Sequence, residues 1–158
     1  MNTTRKILFG ESVDFHKLVE CKNSFIILGG TKIRSVYKII AHSDGDLVMH
    51  AIANAILGAC CKGDIGIYFP DTNNRYKNID SKKILLFATT QIPKHFQINN
   101  IDLTIICDKI KLSQYRNKIT QNLVNLTKCK KVNVKFTRFE EDKKLIGCSC
   151  IASIVNKK

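Results

Sequence analysis

Asp14-Phe15-His16 and the stretch Ala41-His42-Ser43-Asp44-Gly45-Asp46 running on to His50 hold the side chains best suited to chemistry. Asp14, His16 and His50 offer one carboxylate and two imidazoles that could hold a divalent metal. A third histidine, His42, and two acids, Asp44 and Asp46, stand beside them as groups that could hold a substrate. Alternate residues of a strand point to one face, so Asp14 and His16 converge while Phe15 is expected to pack into the core. His50 must then arrive from a helix. One carboxylate with two imidazoles matches catalytic zinc, which takes three protein ligands and keeps a fourth position for water or substrate. No cysteine belongs to the set, which argues against a closed structural site. Plainer readings compete: a lone D-x-H often arises by chance, and a helical histidine is more often packed or at the surface. Asp44 and Asp46 also suit a turn and a helix start, near the positive end of the helix dipole.

The elements that must position these groups are legible from periodicity. Residues 6–18 and 24–28 alternate or run apolar over strand lengths, and Gly29-Gly30 closes the second with a turn. Residues 46–61 carry an apolar helical stripe through Leu47, Ala51, Ile52, Ala55 and Ile56, which places His50 one turn from Asp46. The run 63–72 is punctuated by Gly63, Gly66 and Pro70 and is predicted to be an ordered loop. Asp80-Ser81 caps a helix extending to about Ile92. Strands are predicted over 100–107, 131–139 and 146–155, and a helix over 113–128. This interleaved order predicts an α/β (α+β) layer sandwich, one domain over 1–158, with helices on one face of a mixed sheet. The uncovered face calls for a partner, most simply in a symmetric oligomer.

A chain of 158 residues can bury roughly 70% of the surface its unfolded form exposes, so a core forms without staples. Seven cysteines is an odd number. The pairs Cys60-Cys61 and Cys148-x-Cys150 are too tightly spaced for ordinary bridges, and no CxxC knuckle occurs, so reduced thiols are expected. Met1–Lys6 is basic but leads into no signal-peptide apolar run, and nothing approaches a membrane span. A cytoplasmic location is expected, or a plastid-type organelle if a transit peptide has been removed. The net charge of +13 attracts anions of any kind. It comes from scattered lysines and not from one stripe. With no RNP, KH or GXXG signature, a nucleic-acid-binding module is a remote alternative.

The order and spacing of further words narrow the choice. Asp14-x-His16, Ile26-Ile27-Leu28-Gly29-Gly30, the Ala41 to His50 run, Gly63-Asp64-Ile65-Gly66 and Phe69-Pro70-Asp71-Thr72 resemble 2-C-methyl-D-erythritol 2,4-cyclodiphosphate synthases. Asp102-x-Thr104-Ile105-Ile106 and Val132-Asn133-Val134-Lys135 continue the resemblance over nearly the whole chain. It implies a lyase of non-mevalonate isoprenoid (terpenoid) synthesis. In these enzymes the 2-phosphate of 4-diphosphocytidyl-2-C-methyl-D-erythritol 2-phosphate attacks the β-phosphate and CMP leaves. The resemblance also implies a homotrimer with sites between adjacent subunits, which would cover the open sheet face.

Carried over by position, Asp14, His16 and His50 resemble the ligands of one Zn2+ per subunit. His42 with Ser43 resembles the phosphate-binding pair, His42 being the transition-state stabiliser. Asp64, Ile65 and Gly66 resemble the grip on the methylerythritol unit. Phe69, Pro70, Asp71, Thr72 and Asn73 resemble the loop beside it, with Asn73 where Asp is commoner. Glu140 resembles the acid that helps hold Mg2+ or Mn2+ on the diphosphate. Cys107, Lys111, Leu112, Ser113, Phe136 and Thr137 fall on the cytidine and phosphate side.

The chain departs from the family pattern mainly there. Arg138 replaces a threonine that helps stabilise the transition state, and its guanidinium suits the transferred phosphate. Phe136 stands where a small residue lines the cytosine pocket. Residues 141–146 are shorter than their counterpart and lack its Gly-Arg-Gly-Glu-Gly run, so the family's isoprenoid-diphosphate cavity at the trimer axis loses its arginine; Lys143 and Lys144 read as a solvated pair. Leu8 and Ser12 stand where Arg and Gly are favoured. These departures motivate an alternative, a catalytically impaired trimeric relative acting as scaffold or partner subunit.

Overall fold

The computed structural model describes residues 5–141 and 143–157. Met1–Thr4 of the basic N-terminal stretch, and Asp142 within the shortened 141–146 segment, lie outside the described residues. In chain order the elements are β1 (Ile7–Leu28), β2 (Thr31–Ile40), α1 (Leu47–Ala59), α2 (Ile65–Tyr68), α3 (Ser81–Thr90), β3 (Phe96–Cys107), α4 (Arg116–Thr127), β4 (Val132–Thr137) and β5 (Leu145–Asn156). Single 3-10 turns occupy Asn74–Tyr76 and Ser113–Tyr115. The strands form one sheet in the order β2-β1-β5-β3-β4, with only the β3/β4 pair parallel. The expected mixed sheet is therefore present.

Three local expectations are corrected. The two predicted strands 6–18 and 24–28 are one 22-residue strand, β1, whose pairing with β2 shifts between Glu20 and Ser24. Their partner β2 went unpredicted, because Lys32, Arg34 and Lys38 interrupt its apolar residues on the solvent side of an edge strand. Gly29-Gly30 is the two-residue loop of that hairpin, closed by the Leu28–Thr31 pair, and both glycines take positive φ (54° and 71°) as a type I′ turn requires. Finally, the predicted 63–72 loop contains the one-turn helix α2, which forms because the Asp64 side chain accepts from the Gly66 amide at 2.8 Å.

Helix α1 is apolar almost all round and buried almost all round, as such a composition demands. It lies so close on β1 that a Cβ at Gly10 would collide with the Ala55 carbonyl oxygen and the Ala59 nitrogen. One turn along, the Ser12 hydroxyl donates to the Ala51 carbonyl, which accounts for a serine at this position. Leu18, Ile26, Leu28, Ile52 and Ile56 join Ile101 and Ile105 of β3 in the core between sheet and helices.

The helix-covered face of β1 is the even-numbered one, so Phe15 cannot be in the core with Asp14 and His16 beneath the helices. It is half exposed on the opposite face, its ring lying where a Cβ at Gly147 would stand, and 6.3 Å from the Phe139 ring. Ile7, Phe9, Val13 and Ile151 are exposed on this same face. It is the uncovered apolar surface that the layer argument anticipated.

Candidate active site

Asp14 and His16 project from β1 toward α1, where His50 occupies the first turn. The Asp14 Oδ2 atom is 3.4 Å from His16 Nε2 and 3.4 Å from His50 Nδ1. One ligand atom from each residue lies within 4.8 Å of the others, so the three form a group able to hold a metal ion. Burial alone would raise the Asp14 carboxyl, but hydrogen bonding and charge from His16 and His50 hold it well below the usual carboxylate range. Contact with Asp14 raises the His16 imidazole above its ordinary value, against the opposing effect of burial. His16 Nε2 is nonetheless buried without a hydrogen-bond partner of proper geometry. A buried, unpaired nitrogen beside a carboxylate and a second imidazole suits a divalent ion that takes nitrogen and oxygen donors.

The two acids proposed beside this group line a separate cleft, with Gly30, Met49 and Asn122. Asp46 is fully buried. It caps α1 through the Met49 amide (3.2 Å) and accepts from the amides of Gly29 (2.8 Å) and Gly30 (2.7 Å) in the hairpin turn. Burial pushes its carboxyl up to about 6, even though these three donors favour the charged form. Asp44 accepts from both the amide and the hydroxyl of Ser81. The helix-start reading of Asp46 therefore holds, and the substrate-holding reading of both acids is corrected: three backbone amides occupy the oxygens of Asp46, and the Asp46 amide and buried Ser81 those of Asp44.

A cavity of about 840 Å³ opens in front of the metal group. Asp14, His16, His42, Ser43, His50, Ile65, Gly66, Phe69, Pro70 and Asp71 all reach its wall. Asp64, Thr72 and Asn73 do not line it. Asp64 caps α2 through Oδ1, and Asn73 caps the next turn through the Arg75 amide at 3.0 Å. Sequence reasoning missed Asn54, which lines the cavity and accepts from the Ile65 amide at 2.8 Å, tying α2 to α1. Its signal was weak: a lone polar residue, one turn after His50, on an otherwise apolar helix.

A second cavity, of about 460 Å³, lies at the ends of β3 and β4. Cys107, Lys111, Leu112, Ser113, Phe136, Thr137 and Arg138 line it. Arg116 stacks over the Phe136 ring at 5.3 Å. Glu140 reaches neither cavity; it is exposed, with a positive φ of 65°. The two cavities share no lining residue, and β5 stands between β1 and β3.

Comparison with known proteins decides the family. Residues 7–155 match the sequence profile of the YgbB family. The 2-C-methyl-D-erythritol 2,4-cyclodiphosphate synthase of Mycoplasmoides gallisepticum is 42% identical over 96% of this chain and 99% of its own length. The chain belongs to the 2-C-methyl-D-erythritol 2,4-cyclodiphosphate synthase family. Another member, from Clostridium botulinum, is 44% identical over 83% of this chain and 84% of its own. Among solved structures, the CDP complex of Plasmodium falciparum IspF superposes with a TM-score of 0.83 at 30% identity, covering 96% of this chain and 97% of that one. The bifunctional IspDF of Campylobacter jejuni gives 0.90 at 28% identity, covering 98% of this chain and 44% of the longer one. Members of the synthase family thus share this fold. Among the described residues no helix is long and apolar enough to cross a membrane.

Proposed function

We propose that this chain cyclises 4-diphosphocytidyl-2-C-methyl-D-erythritol 2-phosphate to 2-C-methyl-D-erythritol 2,4-cyclodiphosphate with release of CMP. The observation that carries this reading is the convergence of Asp14, His16 and His50 on one cavity in a chain whose relatives bear that enzyme's name. An oxygen of the 2-phosphate forms a bond to the β-phosphorus, and the bridging oxygen departs with CMP and the bonding electron pair. Nucleophile and electrophile belong to one molecule, so little entropy is lost in bringing them together and positioning does much of the work. No side-chain base is needed, because an ionised phosphate is already a nucleophile.

Asp14, His16 and His50 are the residues that would hold zinc, and exposed Glu140 would help hold magnesium or manganese on the diphosphate. When bound, these ions supply positive charge that offsets phosphate–phosphate repulsion and the charge gained by the leaving group. His42 and Ser43, on the cavity wall, bind phosphate oxygens; the Asn78 amide, donating to the His42 carbonyl at 2.7 Å, keeps their loop in place. Ile65 and Gly66 face the methylerythritol unit, with Asp64, Thr72 and Asn73 shaping that wall from behind. On the nucleotide side Lys111 and Arg138 meet phosphates, and Phe136 offers a ring to the base. The two cavities are separate within one chain, and the open face is apolar. Both features favour a homotrimer in which the metal half of one subunit meets the nucleotide half of its neighbour. Seven free thiols fit a reducing compartment such as the cytoplasm.

Release of CMP from the authentic substrate, by protein carrying about one zinc per chain, tests the reading. Full zinc occupancy without turnover would overturn it and favour the scaffold alternative, which Phe136 and Arg138 in the nucleotide cavity motivate.

A further inference from the structure

Behind the metal group lies a chain of polar contacts that the reaction does not call on directly. Ser81, the first residue of α3, is fully buried, and its hydroxyl sits 2.9 Å from His50 Nε2. The same hydroxyl is in close contact with Asp44 Oδ1, while the Ser81 amide donates to Asp44 Oδ2 at 3.2 Å. A serine has one proton to give, and a carboxylate can only accept. The Ser81 proton therefore goes to Asp44, and the remaining contact requires His50 to donate from Nε2 to a lone pair on Ser81. That leaves His50 Nδ1 unprotonated. Nδ1 is the atom 3.4 Å from Asp14 Oδ2, on the metal side.

We propose that Ser81 and Asp44 are positioning residues that lock His50 in its Nε2–H tautomer and present Nδ1 as the metal donor. The inference rests on the metal-site reading given above. It also explains why Asp44 lies where it does. Its amide donates to the Ile79 carbonyl at 3.1 Å, and the neighbouring His42 carbonyl accepts from Asn78, so the phosphate-binding loop and the start of α3 are joined along one seam. Asp44 thus ties the His42 loop to the segment before α3 through its main chain and, through its carboxylate and Ser81, reaches the ring of His50. Without the hydroxyl, the buried Nε2–H has no acceptor, and the ring is free to take the tautomer whose proton covers the donor atom. Partners that orient a ligating imidazole typically change metal affinity by about 10- to 100-fold when removed.

The test uses the full chain, whose four histidines make nitrogen resonances easy to assign. In metal-free protein at alkaline pH, ¹⁵N spectra should show His50 protonated at Nε2. Ser81→Ala should mix the tautomers and weaken zinc binding by about 10- to 100-fold in chelator competition, whereas Ser81→Thr, which keeps the hydroxyl, should restore both. An Nδ1-protonated His50 in the unsubstituted chain would overturn the proposal, as would a Ser81→Ala protein with unchanged tautomer and zinc affinity. If the unsubstituted chain takes up no zinc at all, the metal reading fails by itself, and the tautomer measurement still decides the role of Ser81.

Discussion

The metal end and the nucleotide end hold their functional atoms by different means. At the metal end Asp14 and His16 come from β1 and His50 from α1, and the supporting groups are fixed through buried side-chain contacts: Asp46 by three backbone amides, His50 by Ser81, Ser81 by Asp44. At the nucleotide end the cavity is walled by the ends of β3 and β4 and the loops beyond them, and Lys111, Thr137 and Arg138 are exposed. What order those loops have comes from one carboxylate near the surface, Asp108, which accepts from the amides of Phe139 (3.0 Å) and Lys143 (3.1 Å). A side chain buried in a network cannot change without stranding its partners, whereas an exposed one outside such a network can. Of the two departures, Arg138 falls where the second condition applies, whereas Phe136 is a half-buried residue of β4 under Arg116.

The sharpest way to break this contrast is His50→Ala. It should lower CMP release by at least about a thousandfold and strip zinc, measured by turnover and metal content, because it removes a donor and its oriented charge together. Next comes Arg138→Ala. If the guanidinium binds the transferred phosphate, kcat should fall by on the order of a hundredfold with zinc retained. Unchanged turnover would show that this end has already given up its part in catalysis. Asp46→Ala should destabilise the fold by about 2–3 kcal/mol in denaturant titration, since it removes a helix cap and leaves buried amides unpaired. The corresponding loss for Asp108→Ala should be smaller, below about 1 kcal/mol, because its amide partners can turn to water.

The smallest effect concerns protons. In metal-free protein the His16 pKa is raised above its ordinary 6.5 by Asp14. The stabilisation it brings is therefore fully present below about pH 6.5 and is lost as pH climbs through the raised value. A melting temperature that declines over that interval without metal, and holds steady once zinc replaces the proton, is the expected result. A flat profile without metal would mean that the two groups do not interact.

How much of this could be read from the chain follows the same division. The strand period put Asp14 and His16 on one face, but that His50 joins them from α1 rested on the family resemblance, because the contact is between residues far apart in sequence. The same parity, applied to the face the helices cover, puts Phe15 outside, so that error lay in choosing the covered face. Ser81 was legible only as part of a helix start; its bond to His50 spans 31 residues and has no local signature. Strand β2 was hidden by charges that an edge tolerates, although the Gly29-Gly30 pair ahead of it was a hairpin signal. The turn-capping bonds of Asp64 and Asn73, each from an amide two positions on, were not foreseen either.

The buried carboxylate of Asp46 carries one more consequence, in time and not in energy. It joins the tip of the β1/β2 hairpin to the first turn of α1, 16 to 17 residues away in sequence. Closing a turn and nucleating a helix are each uphill when attempted alone. A single side chain that accepts from both lets each event lower the barrier of the other, so this corner is where folding of the chain is expected to begin. A loss there should then appear mainly as slower folding, leaving the unfolding rate almost untouched.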